Sequence, residues 1–254
     1  MFKTVVNGNL LQKTIAAYAV LNDEATFNIT PDGVSLRVMD PNRVAMVDAE
    51  LPSGFFDGGY TCTSPQKLTV NLTELLKLLK RADKDESIEL CLPDGSEKLV
   101  VAIRGRYSRS FNILILDVAD EDCPAPKLSF NVKAKIATAG LQRVLEDAQL
   151  VSDHVRIEVT EDGLTLTAVG DLMSANIELA KGSDTLLDLE VKAPAKATYS
   201  LSYITEIVKS ASAISDIATL ELSTDIPVRA DFASASNVPG KLAFYLAPRI
   251  MMEE

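Results

Sequence analysis

Two periodicities divide this chain into two similar series of elements. Phe27 to Val38 alternates apolar and polar positions on either side of Pro31-Asp32-Gly33, a turn sequence, and so predicts a β-hairpin. Val155 to Ala168 repeats the signal around Glu161-Asp162-Gly163. Between such stretches the apolar period lengthens to that of a helix. Leu72, Leu75, Leu76 and Leu79 recur at i, i+3, i+4 and i+7, predicting a helix from Asn71 to Ala82 with Asn71 or Thr73 as its cap. Leu141, Val144, Leu145 and Ala148 do the same, as do Ile204, Ile207, Val208 and Ala211. Each series holds two short helices and many strands, an α+β arrangement with helices on one sheet face.

The second series is a copy of the first. Laying Leu11-Gln12-Lys13 on Leu141-Gln142-Arg143 without gaps also lays Asp23 on Asp153, Thr30 on Thr160, Asp32-Gly33 on Asp162-Gly163, and Leu36 on Leu166. Shifted by one residue, Leu72 falls on Leu201, Leu75 on Ile204 and Lys80 on Lys209. Ile113 to Leu116 falls on Ala243 to Leu246. An ordered series of matches whose spacing changes by a single residue is the mark of a tandem duplication. Between the copies, Asp117 to Pro126 carries four carboxylates and two prolines, a composition that favours an extended, solvated crossover. The expected division is a first domain over 1–116, a linker over 117–127 and a second domain over 128–254.

Composition narrows the function classes. The 254 residues are 47% hydrophobic, enough for a sizeable core. No apolar run approaches the roughly 18 residues that span a bilayer, and the N-terminus lacks a signal-peptide pattern, so an intracellular protein with no membrane partner is expected. Cys62, Cys91 and Cys123 are far apart and form no metal or disulfide pattern. His154 is the one histidine, which excludes a two-histidine zinc helix, and its place between a helix and a strand reads as surface. No phosphate-binding glycine loop is present. No enzyme chemistry, cofactor or metal is expected.

The cations are more informative. On the predicted helix after Asn71, Lys77, Lys80 and Arg81 project away from the leucine stripe, and Lys84 continues that side. Lys13, Arg143 and Lys209 lie off the apolar stripes of the other three helices. Any amphipathic helix carries lysines outside. Recurrence on four equivalent helices of a chain with net charge −11 instead points to one cationic face, suited to a phosphate backbone held without base readout.

Several stretches now resemble one family. Met39-Asp40-Pro41-Asn42-Arg43-Val44-Ala45-Met46-Val47, Val70-Asn71-Leu72, Leu150-Val151-Ser152-Asp153 and Tyr245-Leu246-Ala247-Pro248-Arg249-Ile250 are similar to segments of the PCNA family, the sliding clamps of archaeal and eukaryotic replication. The form Met39-Asp40-Pro41 and the tail Arg249 look archaeal, which would place the protein in the cytoplasm or nucleoid. The resemblance covers the whole chain. It implies two tandem domains of the DNA-clamp fold, each with antiparallel sheets and two helices, in a homotrimeric pseudo-sixfold ring around duplex DNA. It carries sequence-independent DNA contact onto Lys13, Lys77, Lys80, Arg143 and Lys209, to which the helix face itself adds Arg81 and Lys84.

For the subunit junction it implies pairing of the edge near Tyr107, Arg109 and Phe111 with the edge near Ala175, Ile177 and Leu179 of the next copy. Arg81, Arg106 and Arg109 would there meet Glu146 and Asp147. Glu146 departs from the basic residue some relatives carry at its position. DNA polymerase, clamp loader, flap endonuclease and DNA ligase would dock short peptides bearing a glutamine, an aliphatic and two aromatics. Their implied socket is Met39, Val44, Met46, Pro227, Tyr245, Leu246, Ala247 and Pro248. Glu121 and Cys123 replace aliphatic linker residues of relatives. A checkpoint-type or specialised heterotrimeric clamp subunit of the same fold is the alternative. A two-domain enzyme built on surface carboxylates lacks a paired acid and base.

Overall fold

The computed structural model describes residues 1–117, 123–232 and 240–250. In chain order the first copy forms β1 (Phe2–Asn7), α1 (Gly8–Tyr18), β2 (Glu24–Thr30), β3 (Gly33–Met39), β4 (Ala45–Pro52), a 3-10 turn at Ser53–Phe55, β5 (Tyr60–Cys62), β6 (Gln66–Asn71), α2 (Leu72–Leu79), β7 (Ser87–Leu92), β8 (Lys98–Arg104) and β9 (Arg109–Leu114). The second forms β10 (Val132–Ala137), α3 (Thr138–Gln149), β11 (His154–Val159), β12 (Gly163–Val169), β13 (Ser174–Ala180), β14 (Leu186–Val191), β15 (Ala195–Ser200), α4 (Leu201–Ala211), β16 (Ile217–Leu222), β17 (Val228–Asp231) and β18 (Lys241–Leu246). Two compact units result: Met1–Arg43 with Val47–Pro124 and Ser236–Leu242, and Val44–Met46 with Ala125–Ala235 and Ala243–Glu254. Of the acidic crossover, residues 118–122, including Glu121, lie outside the described residues.

The first unit has strand orders β5-β1-β7-β8-β9 and β4-β3-β2-β6; the second has β14-β10-β16-β17-β18 and β13-β12-β11-β15. The expected hairpins are β2 with β3, pairing Phe27 with Leu36, and β11 with β12, pairing Ile157 with Leu166. Strict alternation buries Ala25, Phe27 and Ile29 of β2 against Leu36 and Val38 of β3. Both hairpin turns need glycine. A Cβ on Gly33, whose φ is +152°, would stand 2.3 Å from the Leu51 carbonyl oxygen; one on Gly163 would stand 2.5 Å from that of Leu179. The duplication is thus preserved down to a close approach of one backbone to another.

Each unit pairs its helices, α1 with α2 and α3 with α4. Helix starts leave orphan amide groups. Here the first N–H of each helix is taken by a carbonyl from the loop that follows its sister helix. Gly8 donates to Glu86 (3.0 Å) and Leu72 to Asp23 (2.7 Å); Thr138 donates to Asp216 (2.8 Å) and Leu201 to Asp153 (2.9 Å). The reciprocal bonds lock the helices side by side. Side-chain caps differ between copies: the Oδ1 atoms of Asn7 and Asn71 accept from Leu10 and Glu74, whereas Ala137 and Ser200 make no cap bond.

Two expectations are corrected. The helix predicted to reach Ala82 ends at Leu79, because Arg81 and Ala82 donate three residues back, to Leu78 and Leu79, and tighten the last turn. The helices also do not share a single sheet face. α1 packs on β1 and β7, while α2 packs on β2 and β6 and also meets β9 at the edge of the first sheet. Two apolar stripes facing different ways can cover two sheets. Among the described residues no helix is long and apolar enough to cross a membrane.

Candidate nucleic-acid, subunit and partner surfaces

The helix faces that point away from the core carry the cations. α1 buries Leu11, Thr14, Ile15 and Tyr18 and leaves Lys13 half-exposed; α3 buries Leu141, Leu145 and Ala148 and leaves Arg143 exposed. Lys77, Lys80, Arg81, Lys84 and Lys209 are exposed as well. Lys77 and Lys209 sit in the last turns of α2 and α4, where the helix dipole alone favours a cation. Lys13 and Arg143 lie outside the last turns of α1 and α3, so the dipole does not account for them. Lys77 pairs with Glu74 at 2.5 Å and Lys209 with Glu206 at 3.9 Å. Both pairs are more than half exposed and weakly held, so a phosphate can displace the carboxylate at little cost.

Two outer strands stand at sheet edges. β9 ends the order β5-β1-β7-β8-β9, and β13 ends β13-β12-β11-β15. Ala175, Ile177 and Leu179 alternate toward the protein on β13, with Leu179 buried. Phe111 is half-exposed on β9 and Tyr107, in the preceding turn, is exposed. Bare edges invite a further strand.

Arg109 is engaged inside its own chain. Its guanidinium holds the buried carboxylate of Glu86, donates to the Arg81 carbonyl oxygen at 3.0 Å and lies 4.8 Å over the Tyr107 ring. The Asp83 backbone N–H, and then Arg109, hold the Glu86 carboxyl below its usual range against the opposing effect of desolvation. Any meeting of Arg109 with Glu146 and Asp147 of a neighbouring copy would have to share this guanidinium with Glu86. Glu146 accepts from Gln142 at 2.8 Å, while Asp147, Arg81 and Arg106 are exposed.

Sequence reasoning passed over an apolar corner beside β13. Leu150, Val169, Leu172 and Met173 are 78%, 68%, 99% and 54% exposed. The Gly170 N–H donates to the Met173 carbonyl at 2.9 Å to form the β12–β13 turn. A Cβ at Gly170 would stand 2.1 Å from the Val151 carbonyl oxygen, so this turn abuts the chain just after Leu150. The signal that marks the corner is two consecutive large apolar residues, Leu172-Met173, in a turn where polar ones are the rule.

The socket residues separate into surface and support. Met39, in the first unit, and Val44, in the second, are each 36% exposed. Pro227, Tyr245, Ala247 and Pro248 are half-exposed. The Ala247 N–H donates to the Val44 carbonyl at 2.8 Å and so fixes these two together. A tight turn presents Val44: Arg43 donates to the Asp40 carbonyl and adopts φ +59°. Met46 and Leu246 are 4% and 3% exposed. Leu246 alternates inward with Phe244, so it supports the strand from beneath.

Within the crossover, the Cys123 carbonyl accepts from Arg37 of β3 at 3.0 Å. Arg37 is held in turn by the buried Asp48, which also accepts from Lys241. His154 is half-buried at the start of β11, opposite Ser200, and not fully on the surface as expected; burial and then Arg249 depress its pKa. Among the described residues no cluster of three potential ligands for a metal occurs.

Comparison with known proteins places these surfaces in a family. The proliferating cell nuclear antigen N-terminal domain matches residues 1–121 and the C-terminal domain matches residues 125–249. A DNA polymerase sliding clamp of Cenarchaeum symbiosum is 35% identical over 240 residues, 94% of each chain. The crystal structure of PCNA from Thermococcus kodakaraensis superposes with a TM-score of 0.91 at 29% identity, over 98% of this chain and 100% of that one. The PCNA2–PCNA3 complex of Sulfolobus tokodaii gives 0.87 at 26% identity, over 97% and 99%.

Proposed function

The chain belongs to the proliferating cell nuclear antigen family, and from that membership we propose that it is a sliding clamp which encircles duplex DNA and tethers replication and repair enzymes to it. The observation that carries the reading is a cation off the buried face of every one of the four helices, Lys13, Lys77, Arg143 and Lys209 among them, in a chain of net charge −11. Diffuse attraction of this kind holds a phosphate backbone without reading sequence and lets the protein slide. Enclosure supplies the residence time, so tight contact is unnecessary. No catalytic step belongs to this role. The domains proposed are 1–116 and 128–254, joined by the crossover 117–127.

Ring closure is proposed at β9 and β13, two of the strands that end their sheets. β9 of one copy would pair with β13 of the next, antiparallel like every pairing whose register is described. That direction sets Leu114, 58% exposed at the end of β9, near Leu172 and Met173 in the turn just before β13. The parallel alternative would set them beside Arg106 and Arg109 instead. The junction so formed rests on strand pairing and apolar contact, with Arg81, Tyr107, Phe111, Glu146, Asp147, Ala175, Ile177 and Leu179 around it. Polymerase, clamp loader, flap endonuclease and ligase are proposed to bring short aromatic peptides to Met39, Val44, Pro227, Tyr245, Ala247 and Pro248.

Light scattering tests closure: a mass three times the chain's 27.4 kDa is expected, and a monomer at high concentration would overturn it. Retention on nicked circular DNA, lost when the circle is linearised, separates enclosure from ordinary binding. A second reading, one subunit of a mixed ring, draws on the likeness to the two-protein complex from Sulfolobus tokodaii. A chain that forms no trimer by itself would favour it.

A further inference from the structure

β16, β17 and β18 lie side by side, and their register sets Glu221, Arg229 and Tyr245 in one row across the three strands. Val228 and Ala230 are buried on β17, so the half-exposed Arg229 and Asp231 share the opposite face. The guanidinium of Arg229 is tied at both ends, donating to Glu221 at 3.0 Å and to Asp231 at 2.5 Å. Its central carbon stands 6.0 Å from the centre of the Tyr245 ring. At that separation the guanidinium charge is within reach of the attraction of the ring's π-face. A lysine ammonium lacks the guanidinium plane.

Resting on the socket reading above, we infer that Arg229 is a positioning residue for partner binding: clamped between Glu221 and Asp231, it backs the Tyr245 ring and holds it as a pre-set wall. An aromatic or aliphatic peptide side chain then meets a ring whose freedom is already spent. Without Arg229 the ring gains rotamers that binding must freeze, and two carboxylates beside it lose their shared cation.

The test uses the full-length protein and a synthetic peptide carrying a glutamine, an aliphatic and two aromatic residues, with affinity measured by calorimetry. Arg229→Ala should weaken binding about three- to tenfold, the cost of freeing one ordered side chain, while the light-scattering mass stays unchanged. In a Tyr245→Leu background, which keeps an apolar wall without an aromatic face, the same substitution should change affinity little. If Arg229→Ala folds poorly, Arg229→Lys keeps a cation for both carboxylates and should still lose part of the affinity. Wild-type affinity in both Arg229 variants would overturn the inference, as would an equal loss with and without Tyr245. A wild-type protein that ignores the peptide would instead overturn the socket reading, and this inference with it.

Discussion

Leu172 is the residue whose replacement discriminates most sharply among ways of closing a ring. It is 99% exposed in the isolated chain, with Met173 and Leu114 each more than half exposed. If antiparallel pairing of β9 with β13 covers it, the gain on burial is about 1.5–3 kcal/mol, as for any leucine side chain. Leu172→Asp removes that gain and puts a carboxylate into the covered corner, adding a desolvation cost above the roughly 1–3 kcal/mol of a neutral polar group. The combined loss, at least about 2.5 kcal/mol per junction, raises the subunit dissociation constant by roughly seventyfold or more. Leu172 is already in water in the monomer, so Leu172→Asp should leave the urea midpoint of the dissociated chain unchanged. Light scattering over a dilution series reads the effect, with Leu187→Asp, an exposed leucine on β14, as control. A Leu172→Asp ring as dilution-resistant as the wild type would refute the antiparallel apolar junction. Charge reversal at Arg109 is a poorer probe, since it would set two carboxylates together at Glu86 and unfold the edge before testing it.

Lys77→Ala with Lys80→Ala should weaken DNA binding and shallow its salt dependence by up to about 0.9 logarithmic units per lost phosphate contact; fluorescence anisotropy over a salt series checks this, with the trimer mass unchanged. The duplicated caps predict unequal outcomes at matched positions. Asn71→Ala loses the 2.9 Å bond to the Glu74 amide and should cost about 1 kcal/mol in urea unfolding, whereas Ser200→Ala, with no cap bond to lose, should cost only a few tenths. The Glu86 carboxyl is held below its ordinary value of 4.5 in the fold, so its contribution is present above that pH and fades as pH falls through the lowered pKa. Glu86→Gln should thus lower the melting temperature near neutrality and flatten its decline below pH 4.5; an unchanged acid limb would disprove the coupling.

Much of this organisation is legible in the residues themselves. The duplication, the hairpins at Pro31-Asp32-Gly33 and Glu161-Asp162-Gly163, four amphipathic helices and their outward cations all follow from local period and turn chemistry. Such signals survive in one dimension because each rests on neighbours within a few positions. The family resemblance also reached the tail residues around Tyr245. It could not tell that Leu246 turns inward while Tyr245 does not, since that depends on the strand's register against β17.

Long-range pairing settled the rest. Arg109 finds Glu86 twenty-three residues earlier only because β8 and β9 return it to the end of α2. The corner of Leu150, Val169, Leu172 and Met173 exists because one turn closes on the chain after α3, a contact no periodicity announces. Arg229 meets Tyr245 through cross-strand register alone. The sequence by itself determined which elements form, that they form twice, and where cations face outward. The tertiary structure decided which charges are already satisfied and which apolar surface is left bare, because both depend on residues distant in the chain sharing one place.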